Sequence, residues 1–244
     1  MASILDRYGI KEVADVTFYE IENEQPTTPV LYLDTLKVST IEQTAENTSA
    51  RGGKGNPELI VWDYGKEITV TLEDALFSMK SMAIMYGALD KNKRAVVSTD
   101  ASQLIKTIPV SAIKDGKFEM NGTMVSLPSD VSYYTAAGAT AASASDAAYA
   151  TFMLPITDAQ EIEISAATFP GNYYVTGDTY ARREDNGRDE FFQFIIPKAK
   201  VQSEVTLTME AEGDPSTFSM NLRVLRPSDG KMMKLIKYDV TAAE

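Results

Sequence analysis

Leu59-Ile60-Val61-Trp62-Asp63-Tyr64, resumed after Gly65-Lys66 as Glu67-Ile68-Thr69-Val70-Thr71, is the stretch on which the fold turns. Its β-branched and aromatic content reads as strand. Just before it, Asn47-Thr48-Ser49-Ala50-Arg51-Gly52-Gly53-Lys54-Gly55-Asn56-Pro57 is a polar, Gly-rich loop. Before that, Val30 to Thr44 is strand-like again through Val30, Leu31, Tyr32, Leu33, Leu36, Val38 and Ile41. At about 3.3 Å per residue this run outlasts the usual strand, so a bend, a bulge or a projection beyond the domain is expected. Residues 30–71 therefore read as one long antiparallel hairpin with a basic tip.

On the N-terminal side, Val16-Thr17-Phe18-Tyr19-Glu20-Ile21 reads as a strand. Glu22 to Pro29, holding Pro26 and Pro29, reads as a loop, and the first dozen residues as an arm. On the C-terminal side, Leu72, Ala75, Leu76, Met79, Met82, Ala83 and Tyr86 recur at helical spacing. That spacing predicts a helix over 72–86, with Thr71 as N-cap, Asp74 as its capping-box partner and Gly87 as the stop. Its Met-rich face reads as core packing against a sheet.

Short strands follow over 95–135, punctuated by Asp115-Gly116 and Asn121-Gly122 turns. Residues 136–150 are almost all Ala, Ser, Gly and Thr, too slight for a core, and read as a surface loop or linker, with one helical turn available at Ser145 to Ala150. The last third reads as a meander. Tyr173–Arg183 and Glu190–Ile196 flank Asn186-Gly187; Gln202–Ala211 and Thr217–Leu225 flank Gly213-Asp214-Pro215; Met232–Val240 follows Asp229-Gly230.

Composition narrows function by exclusion. The 244 residues include no His and no Cys. That removes Ser-His-Asp triads, thiolate nucleophiles, imidazole bases, thiolate or imidazole zinc sites and disulfides. The opening lacks the basic-then-apolar order of a secretion signal, and no run approaches the ~18 apolar residues of a membrane span, so neither is expected. The net charge of −12 argues against a surface that grips nucleic acid. Residues 1–50 carry 9 acids and 3 bases, and residues 121–190 carry 10 and 3, so these two segments supply the acidity. The ordinary reading is a solvated surface; the sharper one is a lining that repels anions.

Each candidate site competes with a plain structural role. Gly52-Gly53-Lys54-Gly55 lacks the Gly-Lys-Ser/Thr ending of a phosphate loop, and a strand follows it where a helix should. Arg182-Arg183-Glu184-Asp185-Asn186-Gly187-Arg188-Asp189-Glu190 interleaves arginines that would compete with calcium, and reads as a hairpin end with cross-strand charge pairs. Ser78 and Lys80 face apart on a helix, and Glu161 with Glu163 is one carboxylate pair among 35 acids. Tyr173, Tyr174 and Tyr180 could stack on sugar rings but read first as strand packing. No catalytic constellation, cofactor or metal site is expected.

Three stretches carry a family resemblance. Met1-Ala2-Ser3-Ile4-Leu5-Asp6-Arg7-Tyr8-Gly9-Ile10-Lys11-Glu12-Val13-Ala14-Asp15-Val16 resembles the start of structural proteins of tailed bacteriophages of Gram-positive hosts. Ala50 to Ile68 with the helix after it, and Ile196-Pro197-Lys198-Ala199-Lys200-Val201 with Glu210 to Pro215, are similar as well. Together they resemble the tail tube (major tail) proteins, over roughly residues 1–120 and 187–240. The resemblance implies a mainly β fold, a β-sandwich or half-barrel with one flanking helix and a long projecting hairpin. It implies one tail-tube domain over 1–244, with the Ala/Ser-rich and acidic segment at about 130–186 as an insertion.

It also implies a structural virion protein, not an enzyme, whose rings, six copies each, stack into a conduit for DNA ejection. The assembly contacts expected are Met1, Ile4, Leu5, Arg7 and Tyr8 of the arm, and Arg51, Gly52, Gly53, Lys54 and Asn56 of the tip. Partners implied are further copies, a sheath protein, tape measure protein, baseplate and tail terminator, with DNA passing unbound and no membrane. The location implied is the virion tail, after assembly in the host cytoplasm. Alternatives are a head–tail connector, a baseplate hub or capsid decoration protein, and a carbohydrate-binding β-sandwich.

Overall fold

The structure, a computed structural model, describes residues 7–89, 96–97, 102–157, 159–185, 187–207 and 217–238. The chain divides into two compact units, one made of residues up to 97 together with those from 162 onward, the other of 98–161. In chain order the strands are β1 (Tyr8–Ile10), β2 (Asp15–Glu22), β3 (Gln25–Leu33), β4 (Leu36–Arg51) and β5 (Glu58–Asp74), then helix α1 (Met79–Tyr86). The second unit holds β6 (Ser102–Pro109), β7 (Lys117–Met120), β8 (Thr123–Ser126), β9 (Val131–Tyr134) and β10 (Tyr149–Ile156). The first unit resumes with β11 (Asn172–Arg183), β12 (Asp189–Val201), β13 (Phe218–Val224) and β14 (Lys234–Tyr238).

The first unit is built on a nine-stranded sheet whose main path is β3-β2-β11-β12-β13-β5-β4, with β1 added on β11 and β14 on β12. The path starts at β3 and ends at β4, six strand steps away. Yet Asp34 and Thr35 alone join those two strands, a reach of at most about 11 Å from Leu33 to Leu36. Six steps across a flat sheet would need about 29 Å. The sheet therefore rolls until its end strands meet at this corner. Asp74, buried at the end of β5, pins it: Thr35 Oγ1 donates to Asp74 Oδ1 at 2.5 Å, and the Leu76 amide donates to the same oxygen at 3.2 Å.

The core lies on one face of the sheet. Val16 and Phe18 of β2, Val70 and Leu72 of β5, Val175 of β11, Ile196 of β12 and Leu222 of β13 are all but sealed from solvent, and Ile84 and Met85 of α1 close over them. Each such side chain contributes about 1.5–3 kcal/mol. Gly177 is a packing requirement, since a Cβ there would stand 2.1 Å from the Phe194 ring.

The helix begins later than its spacing predicts. Ile68, Val70, Leu72 and Asp74 alternate inward, so β5 continues through Asp74, laddered to both β4 and β13. Leu72 fits both periods, and the two ladders decide for strand. The N-cap is Ser78, in a capping box with Ser81, in place of Thr71 and Asp74; Gly87 ends the helix as expected.

Glu22 to Pro29 is not a loop. Asn23 and Glu24 take positive φ (51° and 60°), as a two-residue hairpin turn requires, and Pro26 and Pro29 sit on β3. β3 is an edge strand, where a missing N–H costs little and the ladder absorbs two register shifts. The C-terminal meander is also corrected. β14 pairs β12, not β13, and β12 runs on to Val201, past the expected end at Ile196. One edge of β12 serves both partners, β14 along 191–195 and β13 along 199–201, with a bulge around Pro197 between them. No strand is present over 202–207, and Gly213-Asp214-Pro215 lies outside the described residues.

In the second unit β10 is central to a β6-β10-β9 sheet, and β7–β8 is a hairpin on the predicted Asn121-Gly122 turn. Phe118, Phe152 and Leu154 form its small core. The Ala/Ser run makes an exposed loop from β9 to β10, with a 3₁₀ turn at Ala144–Asp146. The stretch 130–186 is thus shared out: β9 and β10 belong to this unit, whereas β11 is buried through Tyr173, Val175 and Ala181 in the middle of the first sheet.

Candidate assembly surface

β4 and β5 ladder from Leu36 opposite Asp74 out to Arg51 opposite Glu58. The ladder slips once at its middle. Thr44 faces Glu67 and Glu46 faces Tyr64, so β5 carries one residue more than β4. Gly65 sits there at φ 63°, the left-handed conformation of a glycine bulge. Below it, β5 alternates between core and solvent. Above it, the two strands run on alone for about 20 Å.

This outer ribbon is not polar. Leu59, Ile60, Val61, Trp62 and Tyr64 are each 51–63% exposed. Ile60, Trp62 and Tyr64 share one face with Ala50, Thr48 and Glu46, the residues directly opposite them. Leu59 and Val61 lie on the other face. A two-stranded ribbon has no third layer to cover either side. Soluble monomers rarely expose contiguous apolar surface of this kind, and where they do it marks an interaction site.

The tip matches its sequence reading in form and departs from it in charge. Gly53, Gly55 and Asn56 take positive φ, and the Gly52 amide closes the turn on the Pro57 carbonyl at 3.2 Å. Arg51 stands 3.5 Å from the Glu58 carboxylate, so part of the expected basic charge is neutralised at its base. Lys54 has no ion-pair partner among the described residues.

The arm is placed differently. Tyr8, Gly9 and Ile10 pair with Arg183, Arg182 and Ala181 of β11. Arg7 lies 3.7 Å from Glu184. Lys237 Nζ donates to Tyr8 Oη at 2.6 Å and contacts Glu190 at 2.7 Å. The Lys237 ammonium holds the Glu190 carboxyl below its ordinary range. The arm is thus stitched to β11, β12 and β14 of its own sheet. Met1, Ile4 and Leu5 lie outside the described residues. Arm and tip sit on different strands, and no described contact joins them.

Other sequence candidates have structural roles. Arg182 grips Asp189 with two 2.7 Å hydrogen bonds at the β11–β12 hairpin end. Tyr173 is buried edge-on against Phe18, and Tyr180 packs on Phe191 with centroids 5.1 Å apart. Among the described residues no cluster of His, Cys, Asp or Glu could hold a metal, and no helix is long and apolar enough to cross a membrane. The apolar shaft is what sequence reasoning missed. Its signal was present: five large apolar residues at both odd and even positions, in a segment with one partner strand.

The model of the YomU/Tube protein family matches residues 8–237. No curated protein matches the chain. The chain belongs to the YomU/Tube protein family, a family of phage tail tube-like structural proteins, and is by that membership a virion component.

Proposed function

We infer that this member of the YomU/Tube family is the repeating subunit of a phage tail tube. Copies close into rings, six to a ring, and the rings stack into a conduit through which DNA leaves for the host. The observation that carries the reading is the β4–β5 ribbon, apolar on both faces and covered by none of the described residues of its own chain. Seated on a neighbouring ring, its side chains would be buried for about 1.5–3 kcal/mol each. A contact of this head-to-tail type repeats without closing along the tube. Arg51, Gly52, Gly53, Lys54 and Asn56 of the tip then meet the neighbour first. Arg7 and Tyr8 anchor the arm so that Met1, Ile4 and Leu5 reach an adjacent copy.

The sheet face turned away from the core supports the conduit. It carries Asp15, Asp178, Glu42, Glu67 and Glu73 by strand alternation. Asp15 stands directly opposite Asp178, an unfavourable like-charge pair. Of its basic residues, Arg182 and Arg223 are paired with Asp189 and Glu67, while Lys200 and Lys234 have no ion-pair partner among the described residues, so the acids of this face still outnumber its free bases. A lumen lined by this face repels phosphates and lets DNA slide. Sheath, tape measure, baseplate and terminator proteins are the further partners, and assembly takes place in the host cytoplasm.

Electron microscopy of the purified protein at high concentration tests the reading. Striated hollow tubes are expected. Closed single rings would point to a head–tail connector in place of a tube.

A further inference from the structure

Two large apolar side chains stand exposed at the end of β5 opposite to the ribbon. Leu76 is 64% and Phe77 53% exposed, in the short turn between β5 and α1. That turn is pinned along its length. The Ala75 amide donates to the Thr35 carbonyl at 3.2 Å, and the Leu76 amide donates to the buried Asp74 carboxylate. Ser78 is locked into its capping box with Ser81. The Phe77 ring leans on Phe218, with centroids 4.5 Å apart, and Leu76, Phe218 and Met220 line a small dent. A slack turn would tuck such side chains away. This one is held in a conformation that presents them to solvent. Fixing apolar groups in advance lowers the entropy a partner must give up on docking, and an aromatic ring held this way is the usual anchor of an interface.

The position of the patch indicates what covers it. Trp62 lies about 40 Å back along β5 from Asp74, so ribbon and patch cannot meet within one chain. They are unlike apolar surfaces at the two ends of one strand. A contact between unlike surfaces of identical subunits leaves one of each free on every added copy, and so repeats without closing. Ribbon against ribbon would be self-complementary and would stop at a pair.

We propose that the Leu76–Phe77 patch is the seat of a second copy's ribbon, the face bearing Ile60, Trp62 and Tyr64 packing on Leu76 and Phe77. This rests on the tube reading and names the surface that the ribbon meets.

The test compares Leu76→Gln with Phe77→Ser, Trp62→Asp, and an equal mixture of these two full-length chains, by analytical ultracentrifugation and electron microscopy. Each alone should form no tubes while unfolding as cooperatively as the parent. The mixture should gain a species of twice the mass of either and grow no further, because one chain keeps its ribbon and the other its patch. Leu76→Gln alone leaves Phe77 on Phe218 and carries the test if the double variant misfolds. It should raise the concentration needed for tube growth by about tenfold or more. Tubes at the parent's concentration from the patch variants, with none from Trp62→Asp, would overturn the patch and keep the ribbon. A mixture without the doubled species would also overturn the patch. Tubes from Trp62→Asp, or a parent that never self-associates, would overturn the tube reading and this inference with it.

Discussion

The two halves of β5 share a strand and a taste for large apolar residues, and Gly65 divides them. Below it, Ile68, Val70 and Leu72 are buried under α1 and opposite β11 and β12. Above it, Ile60, Trp62 and Tyr64 are more than half exposed. The difference lies in what covers them, not in the residues. The lower half has a second layer. The upper half has one partner strand and solvent on both sides. The same side-chain chemistry therefore stabilises the subunit in one half and is available to a neighbour in the other.

Substitutions on the two sides of Gly65 should separate these roles. Leu72→Ala, at a fully buried position, should cost about 2–5 kcal/mol in denaturant unfolding. A smaller loss would mean that the base is not the packed half. Gly177→Ala drives a Cβ into the Phe194 ring and should cost about 1–3 kcal/mol, sharpening the claim that the lower layer has no slack. Gly65→Ala forces a left-handed backbone on a residue with a Cβ and should cost about 1–2 kcal/mol; protection of the ribbon amides against hydrogen exchange should fall with it. Trp62→Ser should change unfolding by less than about 0.5 kcal/mol while preventing assembly. A large stability loss there would show that the shaft is covered within its own chain.

Acid should act most weakly, and on the arm. The Glu190 carboxyl is held low by Lys237, so its contribution is complete above the ordinary carboxylate value of about 4.3 and is lost as pH falls through the lowered folded value. Exchange of the Tyr8–Ile10 amides should quicken in that acid window and stay unchanged from about pH 5 to about pH 8, where folded domains are most stable. Quickening near neutrality would place the control of the arm elsewhere.

Much of this fold was legible before any coordinates. The β-branched runs gave the strands, Asn121-Gly122 gave its hairpin, and Gly87 gave the helix stop. The failures have physical causes. Leu72 satisfies two periodicities, and only the β4 and β13 ladders settle the choice. Pro26 and Pro29 signal a loop until β3 is known to be an edge. β14 joins β12 because Pro197 sits in a bulge that divides that strand's edge, a long-range matter that no local pattern reports. At the candidate site, the Gly-rich tip was visible as punctuation. The apolar shaft behind it was visible only as strand, since exposure depends on elements distant in sequence.

The most direct test of the central claim is electron microscopy of Trp62→Asp beside the parent chain, at matched concentration and with unfolding measured on both. Tubes from the parent, none from Trp62→Asp, and matching unfolding curves are the predicted result. Tubes of unchanged form and yield from Trp62→Asp would contradict the claim that the ribbon's apolar shaft joins one ring to the next.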